Sequence, residues 1–485
     1  MSSDLTEFRG RGLLPFQAQF VQDFLREDVA AVWELASPPG TGKVYLSIEI
    51  IRRILDMQGD ARVLILVPAV LSQQWVDRLI SRGAPALLLD RRRFIERAAA
   101  VPEGQPFWPA PAVVVMSIDF AKRNDVLSAL HEVEWDLILA DESHLLAGKR
   151  ADVFFGLQAA QRARRGLMLT SVPSERDYPS SIAVARRVIS FQDIVDWEGR
   201  PMFERAQPRL EIVTYTRSLE ERAVLRELET FAAHIARLSP ELQFYARLLV
   251  RAAASSSLAA QRAAWRLRGT LTHARNLASH GRPLDPAGLG SLQSDLFADS
   301  ADSNPKEPGI PSSDVITLYS HTTPLDALLT RWDEIPDDRK LQALVSFLER
   351  TADTESRSYV CIWIQFRATA QYLATALDRR AVPVFGLEAS MPLAERMAIA
   401  DRFRATGGVL LTTAAAIEGL DLAFVEQCIH YDLPVNLKAL EQRVGRFLRV
   451  GRVKPFRSVA LRDSQAALTW EEQVFAELGE QPRTT

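Results

Sequence analysis

Cysteine is scarce in this chain: two thiols, Cys361 and Cys428, in 485 residues. Two cannot form a disulfide framework or a four-cysteine zinc site. Both lie in apolar, strand-like runs, so free, buried thiols in a reducing compartment are expected. An apolar run long enough to span a bilayer is also missing, as is a basic-then-apolar secretory pattern at the start. The expectation is a cytoplasmic protein with no membrane partner. Nor is there an excess of charge of one sign. Against 58 Lys and Arg stand 61 Asp and Glu, a formal net charge of −3. That excludes a chain drawn to nucleic acid by its overall field and leaves the task to local basic faces. Three clusters qualify: Arg91, Arg92 and Arg93; Arg162, Arg164 and Arg165; and the arginine-rich stretch from Arg443 to Arg457. Each also reads as a solvated helix face, the first two equally well.

What is present is ordinary in amount and informative in order. With 47% apolar and 25% charged residues, the chain can bury a sizeable core, and its length calls for two or three domains rather than one. From Glu34 to about Tyr215, short apolar runs ("RVLILVP", "AVVVMS", "WDLILADE", "GLMLTS", "LEIVTY") alternate with helical segments, the mark of a parallel sheet covered by helices. From Ser218 to Ser279 strands vanish and Ala, Leu, Arg and Glu recur at helical spacing. Gly281 to Ser313 is rich in Gly, Pro, Ser and Asp and reads as loop. After Lys340 the alternation resumes with "YVCIWIQF", "VPVFGL", "GVLLTT", "EQCIHYDLP" and "FRSVAL". The expected organisation is α/β: an N-terminal lobe over 1–217, a helical insertion over 218–280, a flexible linker over 281–335 and a C-terminal lobe over 336–485.

The first stretch that carries chemistry is "SPPGTGKV", Ser37 to Val44. It follows the apolar run "VAAVWELA" and precedes "YLSIEIIRRIL", whose apolar residues fall at helical spacing, so it reads as strand, glycine loop, helix. In a phosphate loop, Gly40 and Gly42 would let backbone N–H groups approach phosphate oxygens, with Thr41 between them, and Lys43 would neutralise the terminal phosphates. Val44 stands where Ser or Thr normally offers magnesium a hydroxyl. Further on, "LILADESH" ends a strand with Asp141 and Glu142. Asp141 suits a magnesium ion, held directly or through water, and Glu142 suits polarisation of an attacking water. Read singly, the first stretch is a glycine turn and the second a helix cap; in this order, each after a strand, they describe an ATP site. Late in the chain, "QRVGRFLR" places Gln442, Arg446 and Arg449 together. Two arginines one turn apart share a helix face, from which both would enter a cleft and bring positive charge to the γ-phosphate; the alternative is a solvated surface.

These elements, in this order, resemble the superfamily-two helicases, and within them the Swi/Snf-type double-stranded DNA translocases, nearest the bacterial branch typified by the ATPase that recycles RNA polymerase. The resemblance runs from about Gly12 to about Leu478 and implies two RecA-like lobes. "LLPFQ" resembles the entry motif whose glutamine reads adenine, here Gln17; "VLILVPAVLSQQW" and "VVVMSIDFAKR" resemble the motifs that follow the tracking strand; "LMLTSVP" stands at the coupling motif. Marks more specific to the branch are "SSSLAAQRAAWRLR", "DDRKLQALVSFL", "WIQFRATAQYL", "TTAAAIEGLDL", "IHYDLPVNLKALEQRVGRFLRVGR" and "TWEEQVFAEL". The likeness implies ATP and magnesium as cofactors, and double-stranded DNA as a partner gripped through backbone phosphates, Ser117 and Thr413 among the contacts. It further implies a protein partner that chooses the target. Three positions depart from the pattern: Val44 in the phosphate loop, Val172 in the coupling motif, and Leu448 before the second arginine.

Two functions are therefore expected to compete. One is a motor whose lobes close on ATP, open after hydrolysis and ratchet along a duplex, hydrolysis being slowed by Val44. The other is a nucleotide-gated clamp on DNA or protein, with weak or no turnover, supported by Val44 and Val172.

Overall fold

The computed structural model describes residues 3–26, 32–101, 107–108, 110–171, 178–203, 210–238, 242–265, 268, 327, 329–332, 334–335, 338–351, 358–413, 416–417, 419–434, 436–448, 452 and 456–465. These fall into two compact units. The first holds the described residues up to 203 together with those between 445 and 452; the second holds those from 210 to 444 and from 456 onward.

In the first unit, α1 (Ser3–Gly10) and α2 (Pro15–Leu25) precede β1 (Val32–Ala36) and α3 (Lys43–Met57). Then come β2 (Arg62–Val67), α4 (Ser72–Ser81), β3 (Leu87–Leu88), α5 (Arg91–Ala100), β4 (Ala112–Ser117), α6 (Ile118–Ala121), α7 (Asn124–Leu130), β5 (Trp135–Ala140), α8 (Lys149–Ala159), β6 (Ala163–Thr170) and β7 (Val184–Val188). The seven strands form one sheet in the order β3-β4-β2-β5-β6-β1-β7, and all its pairs are parallel. The continuous apolar runs of β2, β4 and β5 are what a strand covered on both faces requires. Leu64, Leu66, Val114, Met116, Ile138 and Ala140 are all but fully buried, with Trp108 and Trp135 beside them. Both indoles satisfy their N–H on backbone carbonyls, Trp108 on Ala129 at 2.7 Å and Trp135 on Leu130 at 3.0 Å.

The second unit opens with β8 (Leu210–Tyr215) and the helices α9 (Leu219–Leu238) and α10 (Leu242–Ser255). It continues through α11 (Arg339–Thr351), β9 (Tyr359–Trp363), α12 (Arg367–Asp378), β10 (Val384–Gly386), α13 (Leu393–Thr406), β11 (Gly408–Thr412), β12 (Gln427–His430), α14 (Leu437–Gly445) and β13 (Arg457–Asp463). Its sheet runs β10-β11-β9-β12-β13-β8, again parallel throughout. Val360, Ile362, Leu411, Ile429 and Val459 fill it. Cys361 and Cys428 face each other in register across β9 and β12, both free and buried as expected.

Three expectations need correction. "LEIVTY", read as a strand of the first lobe, is β8 and pairs with β13 of the second sheet, from Leu210 on Ser458 to Tyr215 on Asp463. Apolar alternation marks a strand but not the sheet it joins. The expected linker over 281–335 lies mostly outside the described residues. Its end is not loop: residues 329–332 are helical and bury Leu329 and Trp332 with Val224, Leu228 and Leu249. Arg164 and Arg165 sit on β6 rather than on a helix, and Arg165 donates to the Phe24 carbonyl at 2.7 Å. Arg91, Arg92 and Arg93 do form an exposed helix face, each paired with an acid: Asp125, Glu96 and Asp90.

Buried polar groups tie α9 and α10 into the second unit. Arg217 Nε meets Asp463 Oδ2 at 3.1 Å, Ser255 Oγ donates to Asp432 Oδ2 at 2.8 Å, and Lys340 Nζ donates to the Ala254 carbonyl at 2.8 Å. Among the described residues no helix is long and apolar enough to cross a membrane.

Candidate nucleotide site

Register decides where the functional side chains meet. Ala36 at the end of β1 lies opposite Thr170 at the end of β6, and Ala140 at the end of β5 lies opposite Met168. The loops after β1, β5 and β6 therefore leave from one carboxyl edge, where parallel sheets place ligands. Ser37 N donates to the Thr170 carbonyl at 3.0 Å, and the chain then turns through Gly40 (φ 77°) and Gly42 (φ 83°) into Lys43, the first residue of α3. Left-handed φ at both glycines is what a side chain would oppose.

The loop is held from within. Thr41, fully buried, donates to the Pro38 carbonyl at 2.8 Å and shares a 2.9 Å hydrogen bond with Ser37 Oγ. Lys43 Nζ donates to the Ser37 and Pro38 carbonyls at 2.6 and 3.1 Å. Gln17 is 3% exposed. Its Nε2 donates to the Thr41 carbonyl at 2.8 Å and its Oε1 accepts from Leu14 N at 2.8 Å. Val44, half-buried, is the second residue of α3.

At the end of β5, Asp141 N continues the ladder onto the Leu66 carbonyl at 2.9 Å. Asp141 Oδ1 accepts from Glu142 N and Oδ2 accepts from the buried indole of Trp75, each at 2.9 Å. Glu142 takes left-handed backbone angles (φ 49°, ψ 50°), which costs a non-glycine residue about 1–2 kcal/mol. Such strain concentrates at functional positions. Its Oε2 accepts from Ser171 Oγ at 3.3 Å and lies 3.4 Å from His144 Nδ1.

Residues 12–174 match the family described as "Type III restriction enzyme, res subunit", and residues 339–451 match "Helicase conserved C-terminal domain". The chain belongs to the superfamily-two helicase ATPases. It is 22% identical over 439 residues to the uncharacterized ATP-dependent helicase YqhH of Bacillus subtilis, covering 90% of this chain and 73% of the relative. To the RNA polymerase-associated protein RapA of Pseudomonas putida it is 28% identical over 450 residues, covering 86% of this chain and 43% of RapA. The ATPase thus spans less than half the length of that relative. Its fold is shared with the Hef helicase domain of Pyrococcus furiosus: TM-score 0.56, 16% identity, with 96% of this chain and 97% of that one covered.

Electrostatics set the two acids of this ATPase apart. Burial and the negative charge of Glu142 push the Asp141 carboxyl up to about 6, against the indole hydrogen bond and Lys43. Glu142 moves the other way: burial opposes its charge, but Arg446 and Lys43 outweigh it and hold the carboxyl below its ordinary value. Lys43 is lowered by burial, with Glu142 and Asp141 resisting. Paired groups driven apart in this way are a mark of acid–base chemistry.

Arg446 belongs to the compact unit that holds Lys43 and Glu142. Gly445 beside it lies against the glycine loop after β1 so closely that an added Cβ would stand 2.8 Å from Pro39 Cδ. Arg446 itself stands just past the end of α14, which stops at Gly445, and the expected helix face shared with Arg449 falls on residues outside those described. Arg449 and Val172 lie outside the described residues. Gln442 is half-buried on α14, and Leu448 is buried. Arg443 is a structural arginine: its Nη1 donates to the Asp432 carbonyl at 2.6 Å, it lies over the Trp363 ring, and burial lowers it to about 10. Ser117 caps α6, its Oγ accepting from Phe120 N at 3.1 Å. Thr413 is buried, and its hydroxyl has no hydrogen-bond partner among the described residues.

Asp141 is the side chain suited to magnesium. Each of its oxygens retains a lone pair beyond the hydrogen bond described. No group of three or more His, Cys, Asp or Glu among the described residues forms a cage. Magnesium at a nucleotide takes one or two carboxylates and completes its shell with phosphate and water, so one suffices. The nearby hydroxyls do not replace the one Val44 lacks: Thr41 is turned into the loop, and Ser47 Oγ donates to the Lys43 carbonyl at 2.9 Å. Sequence reasoning missed Trp75, Ser171 and His144. "SQQW" shows a tryptophan one turn into a helix, but nothing local names its partner.

Proposed function

We propose that this ATPase is a motor that translocates on double-stranded DNA and displaces or remodels bound protein, directed to its target by a protein partner. The observation that supports it most is the shared carboxyl edge bearing Lys43, Asp141 and Glu142, with Arg446 in the same unit. In this reading Lys43 exchanges the Ser37 and Pro38 carbonyls for the terminal phosphates, and the N–H groups of Gly40, Thr41, Gly42 and Val44 line the phosphates. Gln17 turns its amide from the Thr41 carbonyl to adenine. Glu142, held ionised by Arg446 and Lys43, accepts the proton of the attacking water and passes it to solvent. Arg446 and Arg449 face the charge that develops on the γ-phosphoryl group, and Gln442 orients them. Asp141 would hold magnesium, which when bound neutralises phosphate charge. Ser117 and Thr413 contact DNA backbone phosphate, which suits a Thr413 hydroxyl that has no partner among the described residues. That one relative is named as an RNA polymerase-associated protein supports a protein-guided role.

Val44 favours a second reading, a clamp that ATP closes without turnover. Phosphate release by the purified chain, with and without mixed-sequence duplex, tests both. The motor requires hydrolysis that duplex stimulates and that Glu142→Gln abolishes. Duplex binding tightened by ATP with no phosphate release would replace the motor with the clamp.

A further inference from the structure

The buried tryptophans of the first unit differ in what they hold. Trp108 and Trp135 give their N–H to backbone carbonyls, while Trp75, 1% exposed, gives its N–H to Asp141 Oδ2 at 2.9 Å. With Glu142 N on Oδ1, each carboxylate oxygen has a donor from a different element, and the carboxylate plane is fixed. That torsion is otherwise broad for aspartate.

The segment that supplies the indole also grips the backbone beneath the carboxylate. Asp141 N donates to the Leu66 carbonyl of β2, and a tight turn closed by Leu71 N on the Pro68 carbonyl at 2.9 Å joins β2 to α4. Trp75 follows one turn into α4. Val67, just before the turn, pairs in register with Ser117. One short, stiff piece of chain therefore runs from the edge where Ser117 would meet nucleic-acid phosphate to the carboxylate that would meet magnesium.

We propose that Trp75 is a positioning residue through which α4 sets the orientation of the Asp141 carboxylate, so that duplex DNA held at the head of α4 tightens the grip of Asp141 on magnesium. This rests on the reading of the chain as a DNA motor. Partners behind a metal ligand commonly matter about ten- to a hundredfold in metal affinity, enough for such a link to be measurable.

The test measures binding of adenylyl imidodiphosphate by calorimetry across magnesium concentrations, with and without mixed-sequence duplex, so no turnover is needed. In the natural chain the magnesium concentration for half-maximal nucleotide affinity should fall when duplex is added. In Trp75→Phe it should rise about tenfold without duplex and no longer respond to duplex, while duplex binding measured without nucleotide and magnesium is unchanged. A Trp75→Phe chain that still responds to duplex like the natural one overturns the proposal, as does a natural chain that binds duplex without any change in its magnesium requirement. A natural chain that binds no duplex overturns the motor reading instead. Should Trp75→Phe fail to fold, benzothienylalanine at position 75, which keeps the indole shape and lacks the N–H, decides by the same criteria.

Discussion

Gly42→Ala should couple two parts of the candidate nucleotide site that lie far apart in the chain. At Gly42 the backbone is left-handed (φ 83°, ψ 26°), which costs an alanine about 1 kcal/mol or more. The added Cβ would stand 2.5 Å from Gln17 Nε2, far inside van der Waals contact, with Gln17 Cδ at 3.7 Å and Tyr45 Cβ at 3.8 Å. Gln17 must then withdraw its amide from the Thr41 carbonyl in a nearly closed environment. The lost bond and a buried, unsatisfied amide together cost about 1–3 kcal/mol. The sum is about 2–4 kcal/mol, a fall of roughly 5–15 °C in the melting temperature of a unit of this size. Removing the obstacle should remove most of the penalty: in a Gln17→Ala background, Gly42→Ala should cost only the backbone part, about 1 kcal/mol. Denaturant unfolding of the natural chain, both single variants and the double variant gives the coupling directly, expected at about 1–3 kcal/mol. If Gly42→Ala costs the same in both backgrounds, Gln17 does not pack on the loop as described.

Other perturbations follow from the same geometry. If the chain works as the proposed motor, Val44→Thr, close to isosteric, should supply a hydroxyl ligand for magnesium and raise phosphate release in the presence of duplex about tenfold, provided that oxygen contributes about 1.4 kcal/mol to the transition state. The gain should vanish in a Glu142→Gln background, and an unchanged rate in a folded, duplex-saturated protein would show that Val44 is not limiting. Asp141, raised to about 6 from an ordinary 3.8, binds its proton more tightly folded than unfolded. Its contribution to stability is therefore complete below about pH 4 and lost as pH rises through about 6. Asp141→Asn should flatten the decline in unfolding free energy over that window, and an unaltered slope in urea melts would contradict the assignment. Arg217→Met should destabilise the second unit by about 3–5 kcal/mol, because Asp463 keeps its charge at a buried site without the partner. A loss below about 1 kcal/mol by calorimetry would mean that water reaches the pair.

The sequence by itself determined whatever depends on neighbours along the chain. Gly40, Gly42 and Lys43 after an apolar strand, and Asp141 and Glu142 after another, announce a glycine loop between strand and helix and an acid pair at a strand end because strand ends, tight turns and helix starts are short-range geometry. Two parallel sheets were legible for the same reason: strands covered on both faces are apolar throughout. Tertiary structure alone decided relations between segments distant in the chain. Whether Leu210–Tyr215 joins the first or the second sheet depends on which open edge it meets, and its own alternation is the same either way. Arg443 and Arg446 look interchangeable in "QRVGR", yet burial under Asp432 and Trp363 makes one structural, while the other falls past the helix end in the unit of Lys43. The fixed carboxylate of Asp141 needs an indole that folding brings from α4, the raised carboxyl needs exclusion of water, and the lowered one beside it needs Arg446. Charge, burial and hydrogen bonding act through space, and no periodicity along a chain encodes which distant groups will share it.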